Sequence, residues 1–200
     1  RWEDRSGNGR HALQFTLNSR PTLIVGGQNG KNIIRFDGLN DYIDVSYISI
    51  PQPYTIVAAW TPKNLSAGSY LFDKTNGLNR VAIGYNATGS NSDIGKLFYY
   101  AGGSAISQHQ IDSTNQKLIT TAVFNGNNGF MRRNGSVILQ STSTNDNGSS
   151  ALESMRFGAG FGPSYFGFID IYEVLVYDSQ LSTQNIQAVE TYLNTKWGIM

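Results

Sequence analysis

Two of the acidic residues flank a turn and two more sit in one long strand, and each pair suggests a different chemistry. In the stretch RFDGLNDYIDV (35–45), Asp37 and Asp41 bracket Gly38, Leu39 and Asn40. Carboxylates so placed can serve a reaction, hold a cation through their oxygens, or cap the turn through backbone N–H groups. The pattern favours a structural corner: KNIIRF and YIDV alternate apolar with polar residues on either side, and Gly and Asn accept positive φ between them. Phe36 and Tyr42 are expected in the core. The second pair is Asp170 and Glu173. Cleaving a glycosidic bond takes two carboxylates about 5–10 Å apart, and residues three apart in a regular strand point to opposite faces. Glu173 lies between Tyr172 and Val174 in an otherwise apolar run, so it needs a partner such as Arg35, a backbone amide or a tyrosine hydroxyl. Its expected role is a polar pin joining the N-terminal segment to the last strand; a general acid with a raised pKa is the alternative. His11 and His109 have no Asp or Ser beside them in sequence that would suggest a triad. These residues predict a noncatalytic protein.

Composition agrees with a β-rich domain. Two hundred residues suffice for one core, and 22 glycines with 12% aromatics read as short strands joined by polar turns. Charged residues make up only 14% and the net charge is +1, which gives no basic footprint for nucleic acid. There is no cysteine, so disulfides, thiolate metal sites and cysteine nucleophiles are excluded. No apolar run approaches the ~18 residues of a membrane span, so no membrane insertion is expected.

The expected strands are 31–36, 42–45, 54–60, 69–74, 80–86, 96–102 and 117–124, then a 129–139 hairpin turning at Asn134-Gly135, then 154–160 and 168–178. The run 54–60 is apolar on both faces and is expected to be central, between two sheets. Only the C-terminus changes period: after Ser182 as N-cap, Ile186, Val189, Leu193 and Trp197 recur at helical spacing until Gly198. The fold class expected is all-β, a two-sheet antiparallel sandwich with one C-terminal α-helix.

Three segments, RWEDRSGNGRHALQ, RPTLIVGGQNGKNIIRFDGLNDYIDV and DIYEVLVYDSQLSTQNIQAVETYLNTKWGI, resemble in order the laminin-G-like, concanavalin A-like jelly-roll domains of bacterial surface proteins and of phage and other viral structural proteins. The matching positions are Trp2, Asp4, Ser6 to Gly9, Phe36, Gly38, Asp41, Tyr42, Asp170, Ile171, Glu173, Leu181, Ser182, Lys196, Trp197 and Gly198. The resemblance implies a single domain over 1–200. Members usually begin with a further strand just before the Trp-x-Asp segment; either that strand lies upstream or this chain has lost it, and residues 1–200 are expected to be a module of a longer polypeptide or larger assembly. The resemblance also places Asp4, Asn8, Asp37 and Asp41 toward one edge of the sandwich, where, with Glu173, they would hold calcium; turn-capping by these acids is the competing expectation. No cofactor is required. The Glu-x-Asp-x-x-Glu strand of many jelly-roll glucanases does not occur, and SQHQID around His109 only crudely echoes the Gln-x-His pattern of jelly-roll alginate lyases.

Aromatic residues give the route to carbohydrate, because sugar C–H faces stack on rings while amides and carboxylates hold hydroxyls. The ligand-binding candidates are Tyr100, Tyr165 and Trp60, with Asn86 and Asp93 as polar partners; glycines at 102, 103, 162 and 167 place Tyr100 and Tyr165 near loops. The expected function is adhesion to a glycan or cell-surface polysaccharide, extracellular or on a virion surface, with further subunits or domains of a larger assembly as neighbours. A structural virion decoration or assembly domain is the first alternative, and a divergent polysaccharide hydrolase or lyase the second.

Overall fold

The computed structural model describes residues 1–65, 68–75, 77, 79–86, 94–102, 106–111 (backbone only for 106–110), 113–142 and 148–200. Thirteen strands and one helix follow in chain order: β1 Thr22–Gln28, β2 Lys31–Asp37, β3 Ile43–Val45, β4 Tyr54–Pro62, β5 Ser69–Asp73, β6 Val81–Tyr85, β7 Lys96–Ala101, β8 Ile106–Gln110, β9 Leu118–Phe124, β10 Phe130–Arg133, β11 Ser136–Gln140, β12 Met155–Phe157, β13 Phe168–Tyr177 and α1 Thr183–Trp197. They form a seven-stranded sheet, β1-β2-β13-β4-β9-β10-β11, and a six-stranded sheet, β3-β12-β5-β6-β7-β8. Every pairing is antiparallel.

The core lies between the sheets and is dominated by aromatic and β-branched side chains, among them Phe36, Tyr54, Trp60, Phe72, Tyr85, Tyr99 and Phe124. A second apolar layer covers the outer face of the seven-stranded sheet. There Leu193 and Trp197 of α1 pack on Val57, Ala59, Ile119 and Tyr172. β4 is central and all nine of its residues are buried, but its two faces meet the other sheet and the helix, not two sheets. Ser182 caps α1 by accepting the Asn185 N–H at 3.2 Å, and Gly198 ends it in the left-handed region.

The RFDGLNDYIDV stretch is a corner and not a hairpin: β2 belongs to one sheet and β3 to the other. Asp37 Oδ1 accepts the N–H groups of Leu39 (2.8 Å), Asn40 (3.2 Å) and Asp41 (3.3 Å), and Asp41 Oδ2 accepts that of Asp37 (3.0 Å). Phe36 enters the core as expected, whereas Tyr42 is half-buried with the Arg156 guanidinium 4.5 Å over its ring. Ile43 and Val45 take the core positions instead.

Asp41 is only 6% exposed, and burial raises its pKa to about 6, with the neighbouring Asp37 charge adding to the rise against the Asp37 N–H bond. The folded state therefore binds this proton more tightly than the unfolded chain does. The corresponding stability is fully present below about pH 4 and is lost as pH rises through about 6. Asp41→Asn keeps an acceptor for the Asp37 N–H without the charge. Urea midpoints for both proteins between pH 4 and 8 are expected to diverge upward in pH, the variant being more stable by on the order of 1 kcal/mol at pH 7. Parallel curves would place the carboxylate in water.

Candidate functional site

β-Strand alternation builds the outer face of the six-stranded sheet. On β7, Leu97, Tyr99 and Ala101 point into the core, and Phe98 and Tyr100 point out. On β5 a bulge between Tyr70 and Phe72 turns both Leu71 and Phe72 inward and leaves Tyr70 outside. The Tyr70 and Phe98 rings meet edge-on at 5.3 Å, Phe98 and Tyr100 lie at 6.1 Å, and Tyr70 reaches Tyr165 at 5.9 Å.

An ion pair is set among these rings. Asp73, fully buried at the end of β5, accepts hydrogen bonds from Arg80 Nε (3.0 Å) and Nη2 and from the backbone N–H groups of Lys74 (2.7 Å) and Phe161 (2.9 Å). The Arg80 guanidinium carbon lies 4.6 Å over Phe161, 5.2 Å over Tyr70 and 5.3 Å over Tyr100. Burial pushes the Asp73 carboxyl up, against the downward pull of Arg80. Burial also pushes the Tyr100 hydroxyl up, so it stays a neutral donor and acceptor.

The open margin of this face carries two exposed aromatic rings. Tyr165 is 58% exposed and Phe161 39% exposed. Tyr165 adopts φ +51°, a left-handed conformation uncommon for an aromatic residue. Gly68 links it to Asn86: a Cβ at Gly68 would lie 2.8 Å from the Asn86 carbonyl oxygen and 3.7 Å from the Tyr165 ring. The Asn86 side chain is 1% exposed, and neither Nδ2 nor Oδ1 has a hydrogen-bond partner among the described residues. Unmet buried polar groups are costly and rare in folded proteins.

Of the expected ligand contacts, Tyr100, Tyr165 and Asn86 belong to strands β5 to β7 or the loops beside them, while Asp93 lies outside the described residues. Trp60 requires a correction. It is fully buried between the sheets, its ring stacks on Tyr85 at 5.9 Å and its Nε1 donates to Thr120 Oγ1 at 3.0 Å, so it presents no surface to a sugar. Sequence reasoning missed Asp73, Arg80, Tyr70 and Phe161. The available signal was the opposite charges seven residues apart, at the end of β5 and just before β6, two strands that pair antiparallel.

The acidic residues weighed for a cation are dispersed. Asp4 Oδ1 accepts the Ser6 N–H (2.8 Å) and Oδ2 that of Arg10 (2.9 Å), and hydrogen bonds from both hold its carboxyl below the usual range. Asn8 Nδ2 donates to Ser6 Oγ. Asp37 and Asp41 serve the corner described above. Among the described residues no three Asp, Glu or His side chains gather as a cation's ligands do. Glu173 accepts from Trp197 Nε1 (2.8 Å), Tyr192 Oη (3.0 Å) and Lys196 Nζ (2.8 Å), so it pins the C-terminal helix and not the N-terminal segment. Arg35 instead forks onto Asp170, at 2.6 and 2.8 Å. The parity argument separating Asp170 from Glu173 also fails. A bulge at Tyr172 puts Asp170, Tyr172 and Glu173 on the same outer face, yet each carboxylate there is held by its own cations.

No protein-family model matches the chain, and no curated protein matches its sequence. Solved structures do match. Domain 4 of a GH43 extracellular arabinanase from Geobacillus stearothermophilus, solved with arabinotriose, superposes with a TM-score of 0.62 at 15% identity, over 85% of this chain and 81% of that one. The binding domain of botulinum neurotoxin serotype G gives 0.68 at 13% identity, over 94% and 48%. A heptameric pentraxin from Limulus polyphemus gives 0.54 at 16%, over 79% and 81%. The chain shares the two-sheet β-sandwich fold of these structures. It spans about half the length of the neurotoxin binding domains it matches. Among the described residues no helix is long and apolar enough to cross a membrane.

Proposed function

We propose that this sandwich is a noncatalytic carbohydrate-binding module of the laminin-G-like, concanavalin A-like kind, displayed on a bacterial or virion surface and meeting glycan at the Tyr165–Phe161 margin of the six-stranded sheet. One observation carries the reading: the Tyr165 ring stands exposed, in a left-handed backbone conformation, against the Tyr70 ring of the aromatic cluster. The ring offers the face for sugar C–H groups, while Asn86, 1% exposed, lies behind the surface. Asp73, the acid nearest these rings among the described residues, has its oxygens engaged by Arg80 and two backbone N–H groups, which leaves it a scaffold and not an acid catalyst.

A glycan array with the purified domain tests the reading. Saturable binding to one sugar class is expected, and Tyr165→Ala is expected to weaken it by roughly tenfold or more while leaving the fold intact. Silence across the array, or unchanged affinity in Tyr165→Ala, would overturn the assignment of this margin. Repeating the array with chelator tests whether Asp4, Asn8, Asp37, Asp41 or Glu173 contributes a calcium-dependent step.

A second reading, an assembly domain making protein–protein contacts, draws on Phe15, Leu17, Leu23 and Val25. These apolar residues are exposed along edge strand β1 and the stretch leading into it. Particle-associated oligomers in light scattering, together with a silent array, would favour it.

A further inference from the structure

Asparagine followed by glycine occurs seven times in the chain, and five of those pairs lie among the described residues: Asn8-Gly9, Asn29-Gly30, Asn125-Gly126, Asn128-Gly129 and Asn134-Gly135. In such a pair the glycine brings its backbone nitrogen toward the asparagine carboxamide with no Cβ in the way. Whether the two groups can react depends on what holds each of them.

Four of the pairs are held. Asn29 and Asn134 adopt φ +47° and +46° in the turns of the β1–β2 and β10–β11 hairpins, so the paired strands on either side fix the backbone between them. Their carboxamides are engaged as well. Asn29 Nδ2 donates to Lys196 O (3.0 Å), while Asn134 Oδ1 accepts the Ile119 N–H (2.7 Å) and its Nδ2 donates to Lys117 O (3.4 Å). Asn125 Nδ2 donates to Gln180 Oε1 (2.7 Å), and the Gly126 N–H beside it donates to Gln52 Oε1 (2.8 Å). The Gly129 N–H donates to Gly126 O (3.1 Å), which withholds it from Asn128.

Asn8 differs at each of these points. It is exposed, lies outside any strand, and sits between Gly7 and Gly9, whose φ angles are +87° and +69°. Its Nδ2 donates to Ser6 Oγ (2.9 Å), a hydroxyl of the same loop. The Gly9 N–H has no partner among the described residues, and a Cβ built on Gly9 would meet nothing within 4 Å, so a ring has room to close there.

We propose that Asn8-Gly9 is a self-modification site, at which the fold leaves free a reaction that it suppresses at the other four pairs. The Gly9 nitrogen gives its proton to hydroxide and bonds to Asn8 Cγ; the Cγ–Nδ2 bond breaks, and Nδ2 takes a proton from water and leaves as ammonia. A second water opens the five-membered imide. Cleavage of the new N–Cγ bond leaves aspartate at position 8, and cleavage of the bond to the main-chain carbonyl carbon leaves isoaspartate. Either product lowers the formal net charge of +1 by one unit. Isoaspartate also inserts a methylene into the main chain between Ser6 and Arg10, the residues whose N–H groups the Asp4 carboxylate accepts at 2.8 and 2.9 Å, so the loop no longer closes on both.

Peptide mapping by mass spectrometry, after incubation of the purified domain at neutral and at mildly alkaline pH, follows the five sites together. Hydrogen bonds that must break before the ring closes slow the reaction, so the Asn8 peptide is expected to convert at least roughly tenfold faster than those carrying Asn29, Asn125, Asn128 or Asn134. Conversion is expected to be faster at the higher pH, and part of the product is expected to accept a methyl group at an isoaspartyl carboxyl. In urea the five rates are expected to converge, because every pair then offers the same unhindered glycine. Asn8→Gln, which would need a larger ring, is expected to remove the early acidic form from ion exchange while leaving the fold intact. Conversion of Asn8 no faster than the hairpin sites in the folded protein would overturn the proposal. So would a ranking that persists in urea, since neighbouring sequence and not the fold would then set it.

Discussion

Arg80→Ala is expected to destabilise the domain by about 3–5 kcal/mol, the range for leaving one member of a buried ion pair unpaired. Asp73 has no solvent exposure and takes its charge-assisted hydrogen bonds from Arg80. Once Arg80 is removed, the Lys74 and Phe161 N–H groups remain as partners, and they do not neutralise the carboxylate. The guanidinium also fills the space between the Tyr70, Tyr100 and Phe161 rings, so alanine opens a cavity among them. The sign of the pH dependence separates the two effects. Burial already raises the Asp73 pKa, and without Arg80 it rises further. The variant therefore regains stability as pH falls and Asp73 protonates, whereas a pure cavity is indifferent to pH. Asp73→Asn with Arg80→Met, which removes both charges and keeps most of the volume, is expected to recover most of the loss. Urea midpoints at pH 5 and pH 7.5 measure all three proteins. A loss below about 1 kcal/mol in Arg80→Ala would class the pair with exposed ones.

What the sequence made legible follows from where local pattern and tertiary context agree. The helix, its Ser182 cap and its Gly198 end were readable because capping and periodicity are local. The hairpin turning at Asn134-Gly135 was readable for the same reason, both residues having positive φ. β1 was missed although Asn29-Gly30, also at positive φ, joins it to β2. As an edge strand, exposed at five of its seven residues, it lacks the apolar alternation that marks a strand. β8 is likewise an edge strand of polar sequence.

Bulges account for the errors of side-chain direction. Each inserts one residue and reverses the parity of everything after it, which put Asp170 and Glu173 on the same face and turned Leu71 and Phe72 both inward. The candidate site was half legible. Tyr100, Tyr165 and Asn86 could be chosen because glycine-flanked aromatics and turn amides have a local signature. Arg80 with Asp73 could not, because its meaning depends on three rings from β5, β7 and the segment after β12 closing over it. Trp60 was misplaced because a tryptophan at the end of a buried run has the same composition whether its ring faces core or solvent; the Tyr85 and Thr120 partners decide it.

Gly158→Ala is expected to destabilise the domain by about 3–5 kcal/mol, through two independent terms. Gly158 has φ +80°, a left-handed conformation costing about 1–2 kcal/mol for an L residue. Its missing side chain also makes room for Phe36: a Cβ there would lie 2.7 Å from the Phe36 Cγ and nearer still to two other ring carbons. Phe36 is the penultimate residue of β2 in one sheet, just before the Asp37–Asp41 corner, and Gly158 follows β12 of the other, so this contact sets how closely the sheets approach at the corner. Gly158 cannot shift freely, because its N–H donates to Leu71 O (3.2 Å) and its carbonyl accepts the Gly167 N–H (2.8 Å). The two terms come apart in a double-mutant cycle with Phe36→Leu. Leucine is smaller and is expected to relieve the clash but not the backbone strain, giving a favourable coupling of about 1–2 kcal/mol and a double variant still less stable than Phe36→Leu alone. Additive losses would mean that the ring moves aside without cost, and the approach of the two sheets would then be set elsewhere.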